Sequence, residues 1–416
     1  MTAWQHEALR DLGTWSGGGT PSKGNPKYWQ DGSVPWLSPK DMGPEVLTGT
    51  KDHITDVAVA GSSTKLVAPN SVAVVARSGI LERTLPVAVV PFATTLNQDM
   101  KALTCRPGID PRWVAWGLRA HERELLRAAR KAGTTVASLE WPRFLDWSLP
   151  IPPLAEQRRI IEILEDHLSR LDAANDYLDA AEVRAAGLID AVLAGAPELK
   201  GCPDVSLSAV LAAPLANGRS VPTRAGGFPV LRLTALRDED VDLSERKAGA
   251  WNAADAERFL VQRGDVFVSR GNGSLYLVGR AAAVREDPDP VAFPDTMIRI
   301  RPNNAVIDSD YLVVVWNSRG TRQQIERTAR TTAGIYKVNQ RDLEAIHLPL
   351  PALPQQEAIR TRVAELRAIT LVAVGAVDRA RQRSAQLRQA LLAAAFAGRL
   401  TGHSSDLDLA EEMALA

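Results

Sequence analysis

The sequence predicts an α+β chain in which two similar mixed α/β halves are each followed by one long helix. Three observations predict it. First, a twelve-residue segment recurs: residues 149–160 read LPIPPLAEQRRI and residues 348–359 read LPLPALPQQEAI, 199 positions later, with six of twelve positions identical where composition alone gives about one. Second, each copy opens a stretch of about 40 residues without an internal proline, in which apolar residues return at alternating three- and four-residue steps. Third, short motifs upstream of the two copies echo each other in order. Val34-Pro35-Trp36-Leu37 matches Phe228-Pro229-Val230-Leu231, Leu66-Val67 matches Leu260-Val261, Arg77-Ser78-Gly79 matches Arg270-Gly271, and Arg106-Pro107 matches Arg301-Pro302.

Within each half, β-branched runs bounded by Gly and Pro predict strands at 71–76, 86–90, 265–269 and 297–300. The spacing of apolar and charged residues predicts helices over 111–130 and 308–328. At each recurrent segment a proline-punctuated strand end runs into a helix. The first long helix has a heptad seam at Ile161, Leu164, Leu168, Leu171, Asn175, Leu178, Glu182, Ala185, Ile189 and Val192. The second has Ile359, Val363, Leu366, Thr370, Ala373, Val377, Ala380, Ser384, Leu387, Leu391 and Ala394, and stops at Gly398. At 1.5 Å per residue each spans roughly 60 Å, and a seam this narrow is buried by pairing one helix with the other. Asn175 and Glu182 either fix the register of the pair or face solvent at an imperfect stretch. Antiparallel pairing places the two halves at opposite ends of a rod; parallel pairing places them side by side. The expected boundaries are 1–148 and 200–347 for the globular halves, 149–199 and 348–400 for the helices, and 401–416 for a tail.

The 49 basic and 49 acidic side chains cancel, which argues against an indiscriminate polyanion binder. The balance is uneven along the chain. Residues 149–199 carry a net charge of −6, while 1–148 and 200–347 are slightly basic. Cys105 and Cys202 are too few and too far apart in sequence for a disulfide framework, and the opening MTAWQHEALRDLG lacks the layout of a secretory signal. The longest apolar runs are under ten residues, so no membrane span is expected and a cytoplasmic location is.

The motifs that carry catalysis do not assemble. Asn25-Pro26-Lys27-Tyr28 approaches the Asn/Asp-Pro-Pro-aromatic motif of amino-methyltransferases, but Lys27 replaces the second Pro and no Gly-rich loop follows a strand to hold S-adenosylmethionine. Gly17-Gly18-Gly19-Thr20 lacks the Gly-Lys-Ser/Thr of a phosphate loop. Glu245-Arg246-Lys247, near Asp240 and Asp242, has nuclease-like spacing yet reads more simply as a solvated loop. His6, His53, His121, His167, His347 and His403 form no ligand-spaced pair, so no metal site is expected.

Positive charge, by contrast, recurs in matching places. Arg119, Arg123, Arg127, Arg130 and Lys131 precede Gly133-Thr134-Thr135; Arg319, Arg322, Arg327 and Arg330 precede Thr331-Thr332-Ala333-Gly334 and then Tyr336-Lys337. A basic helix running into a Thr/Gly turn offers guanidinium, hydroxyl and N–H donors to phosphate oxygens. Arginines at helical spacing also simply solvate an exposed face, and Glu122, Glu124 and Glu326 could pair with some of them. Arg77-Ser78-Gly79 and Arg270-Gly271-Asn272-Gly273 recur at predicted strand ends, where Arg can fork onto guanine and Asn onto adenine. A turn that needs positive φ explains the glycines equally well. The candidate DNA-contacting residues are therefore Arg77, Ser78, Arg127, Arg130, Lys131, Thr134, Thr135, Arg270, Asn272, Arg327, Arg330, Thr331, Thr332, Tyr336 and Lys337.

The opening GGGTPSKGNPKYWQDGSVPWLSPKDM, the GTT ahead of LPIPPLAEQRRI, and the duplicated junction with its heptad helix together resemble the DNA specificity (S) subunit of type I restriction-modification enzymes, over residues 12–400. The second half departs from that pattern: it lacks the Gly-Gly-Thr-Pro run and has Gln355-Gln356 where the first has Glu156-Gln157. The resemblance implies two target-recognition domains, each binding one half of a split, asymmetric DNA sequence, on two long helices paired as an antiparallel coiled coil that sets the spacing. It implies a non-catalytic chain with no cofactor of its own. Methylation of adenine falls to two modification subunits that bind S-adenosylmethionine and dock on the helices, and cleavage to ATP- and Mg-dependent restriction subunits. The alternatives are the specificity protein of another DNA-modification defence system and a stand-alone DNA-modifying enzyme.

Overall fold

A computed structural model describes residues 4–131, 136–237, 239–332, 334–400, 402–403 and 405–415. The chain forms two compact units, one of residues 1–178 with 379–416 and the other of residues 179–378. Each contains one globular half together with portions of two long helices, Leu154–Gly195 and Leu353–Phe396. No described helix is long and apolar enough to cross a membrane.

In the first unit, strands Gly13–Gly17, Met100–Cys105, Ser71–Val75 and Val87–Val90 lie in that order in an antiparallel sheet. The SVAVV strand is buried on both faces, which explains its unbroken apolar run. A second sheet takes Asp52–Ile54, Val34–Leu37, Thr94–Leu96 and Leu66–Val67, with Val34–Leu37 parallel to Thr94–Leu96. Helices Pro111–Ala120 and Glu122–Ala129 replace the single helix expected over 111–130; they break at His121, whose N–H bonds back to the Gly117 carbonyl. Strand Ser148–Ile151, just before the first long helix, pairs antiparallel with Gln5–Ala8 and ties the junction to the start of the half.

The second unit repeats the plan. Strands Leu211–Asn217, Met297–Pro302, Val266–Ser269 and Ala281–Ala283 follow the same order and are extended by two short strands, Asp240–Val241 and Leu236–Arg237. Phe228 to Leu231 lie within strand Thr223–Leu231, which pairs with Arg246–Gly249. Bridges from Ala292 to Val230 (parallel) and Leu260 (antiparallel) reproduce the strand neighbours of the first unit. Helices Ser309–Asn317 and Arg319–Thr328 follow, and strand His347–Pro349 pairs with Asp204–Ser206 as the second junction clasp.

The pairing of the long helices is visible inside each unit. In the first, Ile160, Ile161, Leu164 and Leu168 share a buried core with Leu391, Ala394 and Phe396, and Asp172 is ion-paired with Arg388. In the second, Ile189 and Leu193 share a core with Ile359 and Val363. The start of one helix thus lies against the end of the other in both units, which is antiparallel pairing. Leu171 and Leu387 pack against the first of these cores. Leu178, Val192, Leu366 and Val377 are half-buried, Asn175 and Glu182 likewise. Ala373 is exposed where the expected seam includes it, and the adjacent Val374 is half-buried instead.

Candidate nucleic-acid interface

The recurrent junction explains itself at one residue. Gln157 is fully buried, accepts a hydrogen bond from the Asp110 N–H at 2.9 Å, and donates to the Gly108 and Pro152 carbonyls at 3.1 and 2.8 Å. Gln356 is equally buried; it accepts from the Asp308 N–H at 2.8 Å and donates to Val306 and Pro351 at 3.0 and 2.8 Å. Asp110 and Asp308 in turn cap the following helices, accepting from Arg112 and Tyr311 N–H. One amide side chain therefore ties the long helix to the loop ahead of the recognition half's own helix. The Glu156/Gln355 difference falls on the neighbouring position, where Glu156 forks onto Arg159 and Gln355 accepts from the Ala352 N–H.

In the first unit the buried strand Ser71–Val75 emerges at Ala76 and Arg77, whose N–H groups both donate to the Asp99 carbonyl. Arg77 bridges Ser138, Ser78 N–H donates to the Ala137 carbonyl at 2.9 Å, and Ser78 caps the short turn Gly79–Glu82. On the other side, helix Glu122–Ala129 buries Leu125 and Ala129 and leaves Arg127 exposed. Beyond it Arg130 bridges Leu139, and Lys131 N–H donates to Ser138. Arg77, Arg130 and Lys131, read from two separate stretches of sequence, are thus all held through their backbones beside the 137–139 segment, with exposed side chains. Arg77 is 63% exposed, and its Nε lies 3.9 Å from the Asp99 carboxylate, a separation that leaves the guanidinium open to a ligand. Thr134 and Thr135 lie outside the described residues.

The second unit brings its two signals together in the same way. Gly271–Asn272 pairs with Ile335–Lys337, which pairs with Arg330–Thr332, a three-stranded layer in which Gly271 faces Lys337 and Thr331 faces Tyr336. Gly334, at φ +77°, makes the turn between the last two strands. Arg327, Arg330, Thr331 and Lys337 are exposed, while Tyr336 leans half-buried on the core. Thr332 pairs through its backbone with Ile335. Arg270 differs from Arg77: its N–H donates to Thr296, and its guanidinium donates to the Asp295 carbonyl at 3.3 Å. Asn272 accepts from the Ser274 N–H at 2.9 Å and so shapes its own turn.

Two members of the basic helical runs face inward. Arg119 donates to the Val87 carbonyl at 2.6 Å and pairs with Glu45 at 2.8 Å; Arg322 is 6% exposed and donates to the Leu275 and Tyr276 carbonyls at 3.3 and 3.2 Å. Burial holds both guanidinium groups below their usual range. They are structural ties. Two carboxylates that the sequence did not single out complete the frame. Glu45 pairs with Arg119 and, at 3.6 Å, with Arg388 of the second long helix; Glu239 pairs with Arg367 of that helix. Burial pushes both carboxyls above the ordinary range despite these arginines. Their one sequence signal is that they stand 194 positions apart, the shift of the other echoes.

The nuclease-like stretch is used internally. Glu245 accepts from Thr234 and pairs with Arg237, while Lys247 donates to the Val221 carbonyl. Among the described residues no three His, Cys, Asp or Glu side chains converge to hold a metal ion. What each unit does offer is exposed cationic side chains, on bridged segments in the first and on a three-stranded layer in the second, the chemistry suited to phosphate oxygens and base edges.

The chain is similar in sequence and in fold to known proteins. Residues 1–180 match the family described as the type I restriction modification DNA specificity domain. The chain is 43% identical over 159 residues to the specificity subunit of the Escherichia coli type I restriction enzyme EcoR124I/EcoR124II, covering 38% of this chain and 39% of that one. It is 28% identical to the EcoKI specificity subunit of Escherichia coli strain K12, over 65% of this chain and 61% of that one. The matches thus span less than two thirds of either relative. In fold it resembles a chain solved in work on complex assembly and conformational transition of the type I R-M system, with a TM-score of 0.74 at 17% identity, covering 96% of this chain and 99% of that one. The HsdS subunit from Thermoanaerobacter tengcongensis gives 0.53 at 17% identity, covering 96% and 98%.

Proposed function

We propose that this chain, which resembles type I restriction-modification specificity subunits, is the sequence-specific DNA-recognition subunit of such a complex, reading a split, asymmetric target with one half-site per unit. The observation that carries this reading is that in both units a strand-end Arg lies beside a segment carrying further basic residues: Arg77 bridges Ser138, next to the bridge between Arg130 and Leu139, in the first, and Gly271–Asn272, just after Arg270, pairs with the strand that carries Lys337 and, beyond it, Arg330 in the second. Arg77 and Arg270 contact bases in this reading. Arg127, Arg130, Lys131, Arg327, Arg330 and Lys337 hold phosphates in this reading, and Ser78, Asn272, Thr331 and Tyr336 line the surface; Thr134, Thr135 and Thr332 are proposed as further DNA contacts from sequence alone.

The chain makes and breaks no bond. Two DNA adenine methyltransferase subunits, carrying S-adenosylmethionine, dock on the long helices, and ATP- and Mg-dependent restriction subunits complete the system. The near-neutral charge supports this division, since partner subunits that enclose the duplex supply the remaining phosphate neutralisation. Two weak readers on one chain gain affinity by acting together. Co-expression with the cognate methyltransferase subunit, followed by genome-wide mapping of methylated adenines, tests the proposal. A single bipartite motif that disappears when this chain is omitted is the expected result; methylation that does not depend on the chain contradicts it.

A further inference from the structure

Helix Glu122–Ala129 and helix Arg319–Thr328 each follow a largely buried helix in their unit and are each followed by an arginine, Arg130 directly in the first and Arg330, after Ala329, in the second. Aligned on Arg127/Arg327 and Arg130/Arg330, they bury Leu125 and Ile325 at one shared position and carry Glu122 and Arg322 at another. Both of the latter side chains turn to the loop that follows the strand-end Arg. In the first unit the Glu122 carboxylate accepts from the Thr84 hydroxyl at 2.8 Å and the Leu85 N–H at 3.0 Å, fixing the loop that begins at Ser78. In the second, Arg322 donates to the Leu275 and Tyr276 carbonyls, fixing the loop that begins at Gly271 and carries Asn272. The anchor position is shared; its charge is reversed, because one loop presents donors and the other acceptors.

We propose that Glu122 and Arg322 are positioning residues that set how each unit presents its DNA-reading loop, and so govern base preference in one half-site each without touching DNA; this rests on the recognition function proposed above. Each anchor sits eight residues before Arg130 or Arg330, on the helix that leads to it. Charge-assisted hydrogen bonds are short and directional, and a recognition site holds its productive geometry only when supporting hydrogen bonds lock the residues around it. A consequence is that the two loops are not interchangeable without their anchors.

The test selects duplexes from a library of randomised double-stranded oligonucleotides with the full chain and its co-expressed methyltransferase subunit, and reads base preference at every position. For Glu122→Ala the preference in one half flattens about tenfold, and for Arg322→Ala in the other half, with binding to nonspecific duplex unchanged. Glu122→Gln keeps an acceptor oxygen and restores the pattern, and Thr84→Val, which removes only the hydroxyl bond, gives a partial loss in the same half as Glu122→Ala should the alanine variant fail to fold. Affinity lost equally on all sequences, or base preferences unchanged in Thr84→Val and Arg322→Ala, overturns the positioning role while leaving the recognition function standing. A wild-type chain that selects no bipartite sequence overturns that function and the positioning role with it.

Discussion

The two units are a controlled comparison made by the chain itself, because the same topology is built twice from sequences that have largely diverged. What they share is the frame: the order of four sheet strands, the clasp before each long helix, the Gln157/Gln356 bracket and the Glu45/Glu239 tie to an arginine of the second helix. What differs lies on the exposed β layer. Arg77 extends from a two-residue contact with the 137–138 segment, whereas Arg270 folds onto the Asp295 carbonyl beside a three-stranded layer. The shared bracket of Gln157 and Gln356 is buried and bonded alike in both halves, whereas the strand-end arginines differ, Arg77 being exposed and Arg270 half-buried. Shared frame and divergent surface are what two readers of different half-sequences require.

The comparison is broken most directly at the frame. Replacing Gln157 or Gln356 with Ala strands a buried N–H and two carbonyls and is expected to cost about 3 kcal/mol. Because the chain has two units, hydrogen exchange resolved by residue is the measurement, with protection lost in the unit that carries the change. Glu156→Ala, one position away but partly exposed, is expected to lie within about 0.5 kcal/mol of wild type. Equal effects at 156 and 157 would dissolve the distinction between frame and surface.

On the surface, Arg77→Ala is expected to cost about 1–3 kcal/mol on the preferred DNA and to relax base choice in one half-site only. Arg270→Ala acts in the other half. A loss that is uniform over all sequences reassigns the residue to phosphate. Lys131→Ala and Lys337→Ala should weaken binding to every duplex alike and lower the magnitude of the log–log salt slope by about 0.9 each, measured by titration across salt concentrations.

The smallest effect concerns pH. Burial raises the Glu239 carboxyl above its ordinary range, so the folded chain retains a proton that the unfolded chain has released. The associated stability is present at acid pH and is lost as pH rises through the raised value. The stability of wild type relative to Glu239→Gln should therefore fall across the window just above 4.5, in denaturation at a series of pH values. A rise across that window would contradict the assignment of burial as the dominant cause.

Much of the fold was legible because repetition and periodicity are local signals. The junction, both long helices and the echo between Val34–Leu37 and Phe228 to Leu231 could be read from spacing alone. The pairing of the strand-end Arg with the basic hairpin could not, because 77 meets 138 and 271 meets 337 only through the fold. Arg119 and Arg322 were grouped with Arg127 and Arg327 by composition, yet their partners, Val87, Leu275 and Tyr276, lie far away in sequence and draw them inward. Gln157 stood in plain view inside the repeated motif. Its importance lies in three backbone groups that no pattern of side chains announces.

The central claim is that the two surfaces read separate halves of one target. A double-mutant cycle with Arg77→Ala and Arg270→Ala, measured by equilibrium binding to the preferred duplex, tests it most directly. Costs that add within about 0.5 kcal/mol are predicted for independent readers. A coupling above about 1 kcal/mol would mean that both arginines serve one composite site, and the account of two readers would fail.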